Sequence, residues 1–468
     1  MAWFFLPKIA AAAITLAVLV VLTRVLGPAE FGRYNITMVA GTVAYAGIYA
    51  WLSAAITRFH SAPEFHGKAV AAALGIGARL SLGVLLVMFL GLLVFTGDSR
   101  LAVALGAGFC LAHALHEIAL TGLRVQGAGP AFALATLLRP IIGIALALTL
   151  VFSGAGYGGA LTGMALGAAL TGAFALWKVI ARSGIAHPDP FMLKNFFSFG
   201  MPLAVVSSAS MLLVLLSQSA LGSLVGLEAI GIFAAAQVLA MRSIDMPMTT
   251  LSRASAASIF EAFETHGQDA SNRELSRHFS LLLLVSVPVA ATLVLANDTV
   301  SRIIFDSAFG TTVAQHLPIL AIAAFLSGIQ GAYYDYAFTL ARKTTLQLYI
   351  MAALLTLHAA LSFALIWVFG PIGASWAVLG TSMTGLVTYA VLGRRIRPIE
   401  LPLEELKVMG LATGAFAPFA LAADTIASVP VALTLLAAGA LAFVAILHLA
   451  RHQGLRIVKA RLPGRWYS

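Results

Sequence analysis

The stretch Ile9-Ala10-Ala11-Ala12-Ala13-Ile14-Thr15-Leu16-Ala17-Val18-Leu19-Val20-Val21-Leu22 holds no charged group and runs directly into Thr23-Arg24-Val25-Leu26-Gly27-Pro28-Ala29-Glu30-Phe31-Gly32-Arg33-Tyr34. An apolar run of this length bounded by Lys8 and Arg24 imitates a signal peptide, but Thr23 to Gly27 is a poor cleavage site and further apolar runs follow, so it reads as a retained membrane span. The rest of the chain repeats the pattern. Of 468 residues 60% are hydrophobic and only 10% charged, against about 25% charged in soluble domains, so there is too little polar surface to face water. A large soluble catalytic domain is excluded.

Apolar stretches long enough to cross a bilayer are expected at 6 to 24, 36 to 57, 72 to 95, 101 to 123, 131 to 152 and 157 to 177. A polar stretch, 178 to 198, with Lys178, Arg182, His187, Pro188, Asp189, Pro190 and Lys194, separates these from 199 to 221, 229 to 252, 278 to 296, 316 to 340, 347 to 369 and 374 to 392. Two more follow at 408 to 424 and 430 to 450. The expected fold is an all-α integral membrane protein of about 14 transmembrane helices. Its expected parts are an N-lobe over 1-190, a C-lobe over 191-395, and spans 13 and 14 with a basic cytoplasmic tail over 396-468.

With both termini in the cytoplasm, 21 of the 28 basic residues fall on the inside, among them Lys8, Arg124, Arg342, Lys407 and Arg465, and four on the outside: Arg24, Arg33, Arg100 and Arg302. This asymmetry sets the expected orientation and explains the net charge of +10 without nucleic acid. The one cysteine, Cys110, permits no internal disulfide. The external loops are short, the longest being about 297 to 315, so chemistry must reside within the helices or at their ends.

Two echoes suggest an internal repeat. Leu26-Gly27 through Gly32-Arg33-Tyr34 matches Val225-Gly226 through Gly231-Ile232-Phe233 at an offset of 199, and Gly156-Tyr157-Gly158-Gly159-Ala160 matches Gly370-Pro371-Ile372-Gly373-Ala374 at an offset of 214. They fall on equivalent turns of two six-span halves. An even number of spans makes the repeats parallel, an arrangement that places a substrate site between lobes and works by rocking them. Gly159, Gly163 and Gly167 read as a small-residue stripe for close helix packing.

The expected intramembrane ionisable residues are Arg79, His113, His116, Glu117, Arg139, Arg242, Asp245, Asp335 and His358. Each costs about 2.5–3.5 kcal/mol at a helix centre and therefore needs a partner or a wet cavity. Arg242 and Asp245, three apart with Met246-Pro247-Met248 following, read either as a self-compensating ion pair or as an anion-binding arginine tuned by its acid. His113, His116 and Glu117 share one helix face, which suits pairing with Arg79 or Arg139, a proton or cation relay, or, with a further ligand the sequence does not identify, a metal. Asp335, inside Tyr333-Tyr334-Asp335-Tyr336, is expected to be held by tyrosine hydroxyls or to couple ions. Tyr45, Tyr49 and Trp51 suit interfacial anchoring or stacking on a sugar ring. The sequons at Asn35 and Asn297 are at chance level. No Walker A, Rossmann or His-Glu-x-x-His pattern is present, so no cofactor is expected.

The run from Thr23 to Tyr34 resembles the segment after the first span of Wzx-type polysaccharide transporters, the lipid-linked oligosaccharide flippases of the multidrug/oligosaccharidyl-lipid/polysaccharide (MOP) superfamily. Thr121-Gly122-Leu123-Arg124 through Arg139-Pro140 to Tyr157-Gly158-Gly159-Ala160 resembles that family's span four to six region. The resemblance implies two six-helix lobes in a V around a central cavity and alternating access without nucleotide hydrolysis. It implies as substrate an undecaprenyl-pyrophosphate-linked oligosaccharide, moved from the cytoplasmic to the periplasmic face of a bacterial inner membrane for exopolysaccharide or O-antigen synthesis. Family cavities receive pyrophosphate and acidic sugars on cations, which suits Arg242, Arg24, Arg79 and Arg139 by position. Glu117, Asp245 or Asp335, with His113 and His116, would couple the motion to protons or Na⁺. This chain departs from the family pattern in its very short lead before span one and in having no charge within span two. An ion-coupled multidrug extruder on the same architecture is the alternative. A glycan polymerase or ligase is disfavoured by the short external loops, although polysaccharide polymerase machinery is an expected partner of the flippase.

Overall fold

The computed structural model describes residues 2–62, 65, 68–187, 190–341, 343–399 and 401–461. Arg342, Pro188, Asp189 and Arg465 lie outside the described residues. Every regular element among the described residues is helical. In order they are α1 (Ala2–Ile48), α2 (Ala50–Phe59), α3 (Ala69–Val94), α4 (Gly97–Val125), α5 (Gly129–Leu150), α6 (Gly156–Ser183), α7 (Pro190–Leu224), α8 (Leu227–Ser243), α9 (Asp245–Leu295), α10 (Asn297–Ile304), α11 (Gly310–Ile329), α12 (Asp335–Leu340), α13 (Thr344–Phe369), α14 (Ile372–Ile396), α15 (Leu403–Thr425), α16 (Val429–Leu449) and α17 (Gln453–Arg461). Single π-helical turns join α5 to α6 (Val151–Ala155) and α11 to α12 (Gln330–Tyr334).

Ten described helical stretches are long and apolar enough to cross a membrane, eleven when the bent α7 is included. The expected fourteen spans divide three of these stretches in two. Ala10–Ile48 has 39 residues, Gly129–Ser183 has 55 and Leu227–Leu295 has 69, whereas about 20 residues cross the hydrocarbon core. Each long stretch contains a break: at Gly27, whose φ of 71° leaves helical space, at Gly154 and Gly156, and at Gly267. Glycine is needed at such φ values because a Cβ is strained there.

The chain divides into two compact units, Met1–Gly231 and Ile232–Ser468. The expected boundary at 190/191 assigns α7 to the second half; by packing it lies with the first. The reason is an aromatic seam that a pattern of apolar residues does not assign to a partner. Phe196 stacks on Phe59 at 5.5 Å, Phe197 meets Trp51 edge-on at 5.6 Å, and Gly200 lies so close to Trp51 that any side chain there would collide with its backbone. Farther along α7, Gln218 Nε2 donates to Asn35 Oδ1 at 2.8 Å, both groups buried.

Within the first unit α6 packs on α4 and α5, and within the second α14 packs on α11 and α13. The two echoes share backbone geometry as well as sequence. Gly156 and Gly370 both take positive φ, at 50° and 68°, and Gly159 and Gly373 both press on the helix that precedes their turn. Gly27 and Gly226 likewise both take positive φ. Gly163 abuts the backbone of Ala147, and Gly167 that of Gly143, so the glycine stripe of α6 is a close helix contact with α5.

In the first unit the motif after Gly27 is a structural clamp. The Glu30 carboxylate accepts a hydrogen bond from Tyr157 N at 2.9 Å, satisfying a free donor in the first turn of α6, while Arg33 pairs with Asp98 at 3.1 Å and lies over the Tyr157 ring. Asn35 is buried against Gln218, which removes its sequon from any glycosylation reading.

In the second unit the stretch expected as the longest external loop carries α10. This short helix is tied to the end of α15 by Thr299 N donating to Asp424 Oδ1 at 2.9 Å and by Arg302 donating to the Asp424 and Ile426 carbonyls. Large apolar side chains stay exposed along α3, α13 and α16, including Leu86, Trp367 and Leu441, as expected of surfaces that face hydrocarbon.

Candidate functional site

The polar centre of the first unit is built on α4. His113, His116 and Glu117 stand at i, i+3 and i+4 and project from neighbouring positions of one face. Arg139 reaches them from α5: its Nη1 donates to Glu117 Oε1 at 3.1 Å and its Nη2 to His113 Nδ1 at 2.7 Å. The Arg139 and Glu117 side chains are 21% and 36% exposed, so the pair is partly open rather than sealed in the core. A guanidinium carries five N–H donors, and these two bonds use two of them.

His116 turns the other way, toward α6. Its Nδ1 lies 3.0 Å from Thr171 Oγ1, whose single proton goes to the Gly167 carbonyl at 2.7 Å, so the imidazole donates to the threonine. Gly172 makes this approach feasible, since a Cβ there would press on the His116 backbone. The two imidazoles therefore face different helices and do not converge as metal ligands must. Among the described residues no three His, Cys, Asp or Glu side chains gather into a metal site.

Tyr45 of α1 closes the cluster, meeting the His113 ring edge-on at 4.5 Å and stacking on Tyr49 at 6.4 Å. Tyr49 itself is fully buried, its hydroxyl 3.1 Å from Ser81 Oγ, so of the two expected sugar-stacking tyrosines Tyr49 has no face to offer. Lys8, counted from sequence as a loop cation, is close enough to Glu117 to act electrostatically on its carboxylate. Arg139 is the hydrogen-bonded partner of this carboxylate, and Lys8 acts on it only through its field. Lys8 was missed as a site residue because hydropathy alone marks it as the edge of a span.

Arg79 lies outside this cluster. It is exposed on α3, donates through Nη2 to His187 Nδ1 at 2.5 Å and thereby ties α3 to the segment that follows α6. Arg24 is exposed at the end of the first apolar run, three residues before the break at Gly27.

In the second unit Arg242 ends α8 and Asp245 begins α9, separated by a turn residue, Ile244, across which helical hydrogen bonding continues from the Ile244 N–H to the Ala240 carbonyl. Arg242 is near enough to act electrostatically on the Asp245 carboxylate. Arg242 is exposed, with Nη1 3.9 Å from Met246 Sδ. Asp335 is not held by tyrosine hydroxyls. Gln347 Nε2 donates to its Oδ1 at 2.5 Å and Thr339 Oγ1 to its Oδ2 at 3.2 Å, while the Tyr336 hydroxyl bonds Ser252. The π turn just before Asp335 adds a residue to the helical register and changes which side chains face one another. His358 pairs with Thr381 at 2.9 Å, a buried link between α13 and α14.

The family described as Polysaccharide biosynthesis protein matches residues 1–244, more than half of the chain. The chain belongs to the polysaccharide biosynthesis protein family. No curated protein matches it. Among solved structures, the lipid II flippase MurJ in an inward closed conformation resembles this family member with a TM-score of 0.72 at 15% identity, covering 95% of this chain and 98% of that one. A multidrug resistance MATE family transporter of the MOP superfamily, inward-facing, gives 0.67 at 15% identity over 83% of this chain and 94% of that one. A MOP superfamily transporter from Pyrococcus furiosus, described as having a binding pocket of reverse polarity, gives 0.61 at 16% identity over 84% and 95%. The polysaccharide biosynthesis family member thus has the fold of MOP transporters, multi-pass and all-helical.

Proposed function

We propose that this protein is a flippase that carries an undecaprenyl-pyrophosphate-linked oligosaccharide from the cytoplasmic to the periplasmic leaflet of a bacterial inner membrane, with both termini in the cytoplasm. The observation that carries this reading is the guanidinium of Arg139, held in the span-rich first unit by Glu117 and His113 with donors to spare and with Lys8 nearby. A cation at membrane depth is costly unless it serves a ligand or a pair; here Glu117 balances the charge of Arg139, and the guanidinium keeps N–H donors beyond these two bonds that suit the oxygens of a diphosphate. The half-buried ring of Tyr45 offers a stacking face for a sugar. The mechanism is alternating access, with Arg242, Arg24 and Arg79 attracting the diphosphate at other depths while the isoprenoid tail stays in hydrocarbon. Glu117, Asp245 and Asp335 are the carboxylates available for coupling to protons or Na⁺. Polysaccharide polymerase machinery would receive the flipped product.

The test is the leaflet distribution of undecaprenyl-linked oligosaccharide in cells with and without the protein, with dye efflux recorded in the same cells. Accumulation on the cytoplasmic side with unchanged efflux is the expected result. Normal glycan distribution with impaired efflux would replace this reading with a multidrug extruder.

A further inference from the structure

A groove of about 710 Å³ runs through the first unit between α1, α3 and α4. Ile36 and Ile48 mark its ends on α1, Leu80 and Met88 on α3, and Ala102 and Cys110 on α4. Apart from Thr37, the Cys110 thiol and the Met88 thioether, its side-chain lining is hydrocarbon and glycine. Two of its glycines leave it open: a Cβ at Gly83 would meet nothing within 4 Å, and one at Gly106 would only touch Thr37, whereas Gly41 lies against the Gly106 carbonyl. Beyond Leu80 the exposed side chains of α3, among them Leu86, Leu90 and Val94, extend the apolar surface.

The inner end of the groove decides its occupant. Ala44 and Ile48 flank Tyr45 there, and Cys110 is one helical turn from His113, so the hydrocarbon lining ends against the Arg139–Glu117–His113 cluster. Cys110 lies 13 residues into the 29 of α4, about 20 Å along it, so this junction is at mid-bilayer depth. A phospholipid acyl chain has its head anchored at one interface and cannot set that head beside Arg139. A lipid whose anionic head is being carried through the bilayer can do so.

We propose that this groove holds the isoprenoid chain of a polyprenyl diphosphate carrier, with the diphosphate end directed to Arg139. The assignment rests on the flippase reading and deepens it. Hydrocarbon in the groove gains little from leaving lipid tails, so selectivity comes from packing against the notched, glycine-lined wall.

The experiment uses the full-length protein in vesicles of phosphatidylethanolamine and phosphatidylglycerol, with a diazirine placed in the isoprenoid chain of undecaprenyl phosphate. A phosphatidylglycerol carrying diazirine in its acyl chain is the comparison. Mass spectrometry of the crosslinked peptides is expected to place the isoprenoid adducts on 36–48, 80–88 and 102–110, at least tenfold enriched over the acyl probe. Gly83→Phe, which fills open space, should reduce those adducts at least tenfold. Ala40→Phe, which fills the groove from α1, serves the same purpose if Gly83→Phe does not fold. Equal labelling by both probes, or adducts unchanged in a folded filled variant, would overturn the assignment even in cells where the leaflet assay shows flipping. Adducts in the groove with normal glycan distribution in cells lacking the protein would instead overturn the flippase reading and leave the isoprenoid site standing.

Discussion

Gly32 and Gly231, at the same place in the repeated motif and 199 residues apart, pack against each other's backbone. A methyl group on Gly32 would overlap the carbonyl of Leu227, and one on Gly231 would overlap the carbonyl of Pro28, which is the position equivalent to Leu227 in the other copy. Both contacts lie within the first unit, where the first turn of α8 crosses α1 just past Gly27. The obstacle to a side chain is main chain on each side, so no rotamer relieves it.

Gly32→Ala and Gly231→Ala are each expected to destabilise the protein by about 1–3 kcal/mol, the range for overpacking a close contact. One separation of the two segments relieves both, so the double variant should cost clearly less than the sum. Gly47→Ala, where a Cβ meets nothing within 4 Å, should be neutral or slightly stabilising. Thermal unfolding of the four purified variants in one detergent checks all of this.

Arg139→Ala removes the partner of both Glu117 and His113. The loss is expected at about 2 kcal/mol, below the 3–5 kcal/mol of a sealed pair because the side chains are partly open. Arg139→Lys should keep more of the stability yet still lose transport, since one ammonium cannot reproduce a planar fork that bonds two partners at once. Melting temperature and leaflet distribution, measured on the same variants, separate the two effects.

Asn35 and Gln218 form a buried side-chain pair between α1 and α7. Gln218→Leu alone strands the Asn35 amide and should cost about 1–3 kcal/mol, whereas Asn35→Leu with Gln218→Leu should recover most of that loss. A double-variant cycle on thermal stability measures the coupling.

Glu30→Ala frees the Tyr157 N–H at the start of α6 and is expected to cost about 0.5–2 kcal/mol, as loss of a helix cap does. Glu30→Gln retains an acceptor oxygen and should lose less. Hydrogen exchange at the amide of Tyr157 reports the change locally.

Arg242→Ala is expected to abolish transport while leaving abundance and melting temperature unchanged, because the side chain is exposed at the end of α8. A fall in abundance would make Arg242 structural.

Much of the fold was legible because hydropathy reports the medium a segment occupies, and glycines at 27, 154, 156 and 267 mark where a helix of L-residues must break. The placement of α7 was not legible, since apolar faces look alike and only the pairing of Phe196 with Phe59 and of Phe197 with Trp51 reveals the partner. In the candidate site, the spacing of His113 and Glu117 announced a shared face, and Arg139 was among the named partners. The partners of Asp335 were hidden because Gln347 lies across a chain reversal on α13 and a π turn shifts the register before it.

The clamp of Glu30, Arg33, Asp98 and Tyr157 bears on how relatives of this chain are recognised. The segment that carries the resemblance holds helix ends together through Glu30 and Arg33, and its last residue, Tyr34, comes within electrostatic reach of Arg139. On the flippase reading, relatives are to be compared by substrate at the lining around Tyr45, Cys110 and Arg139 as well as at the clamp.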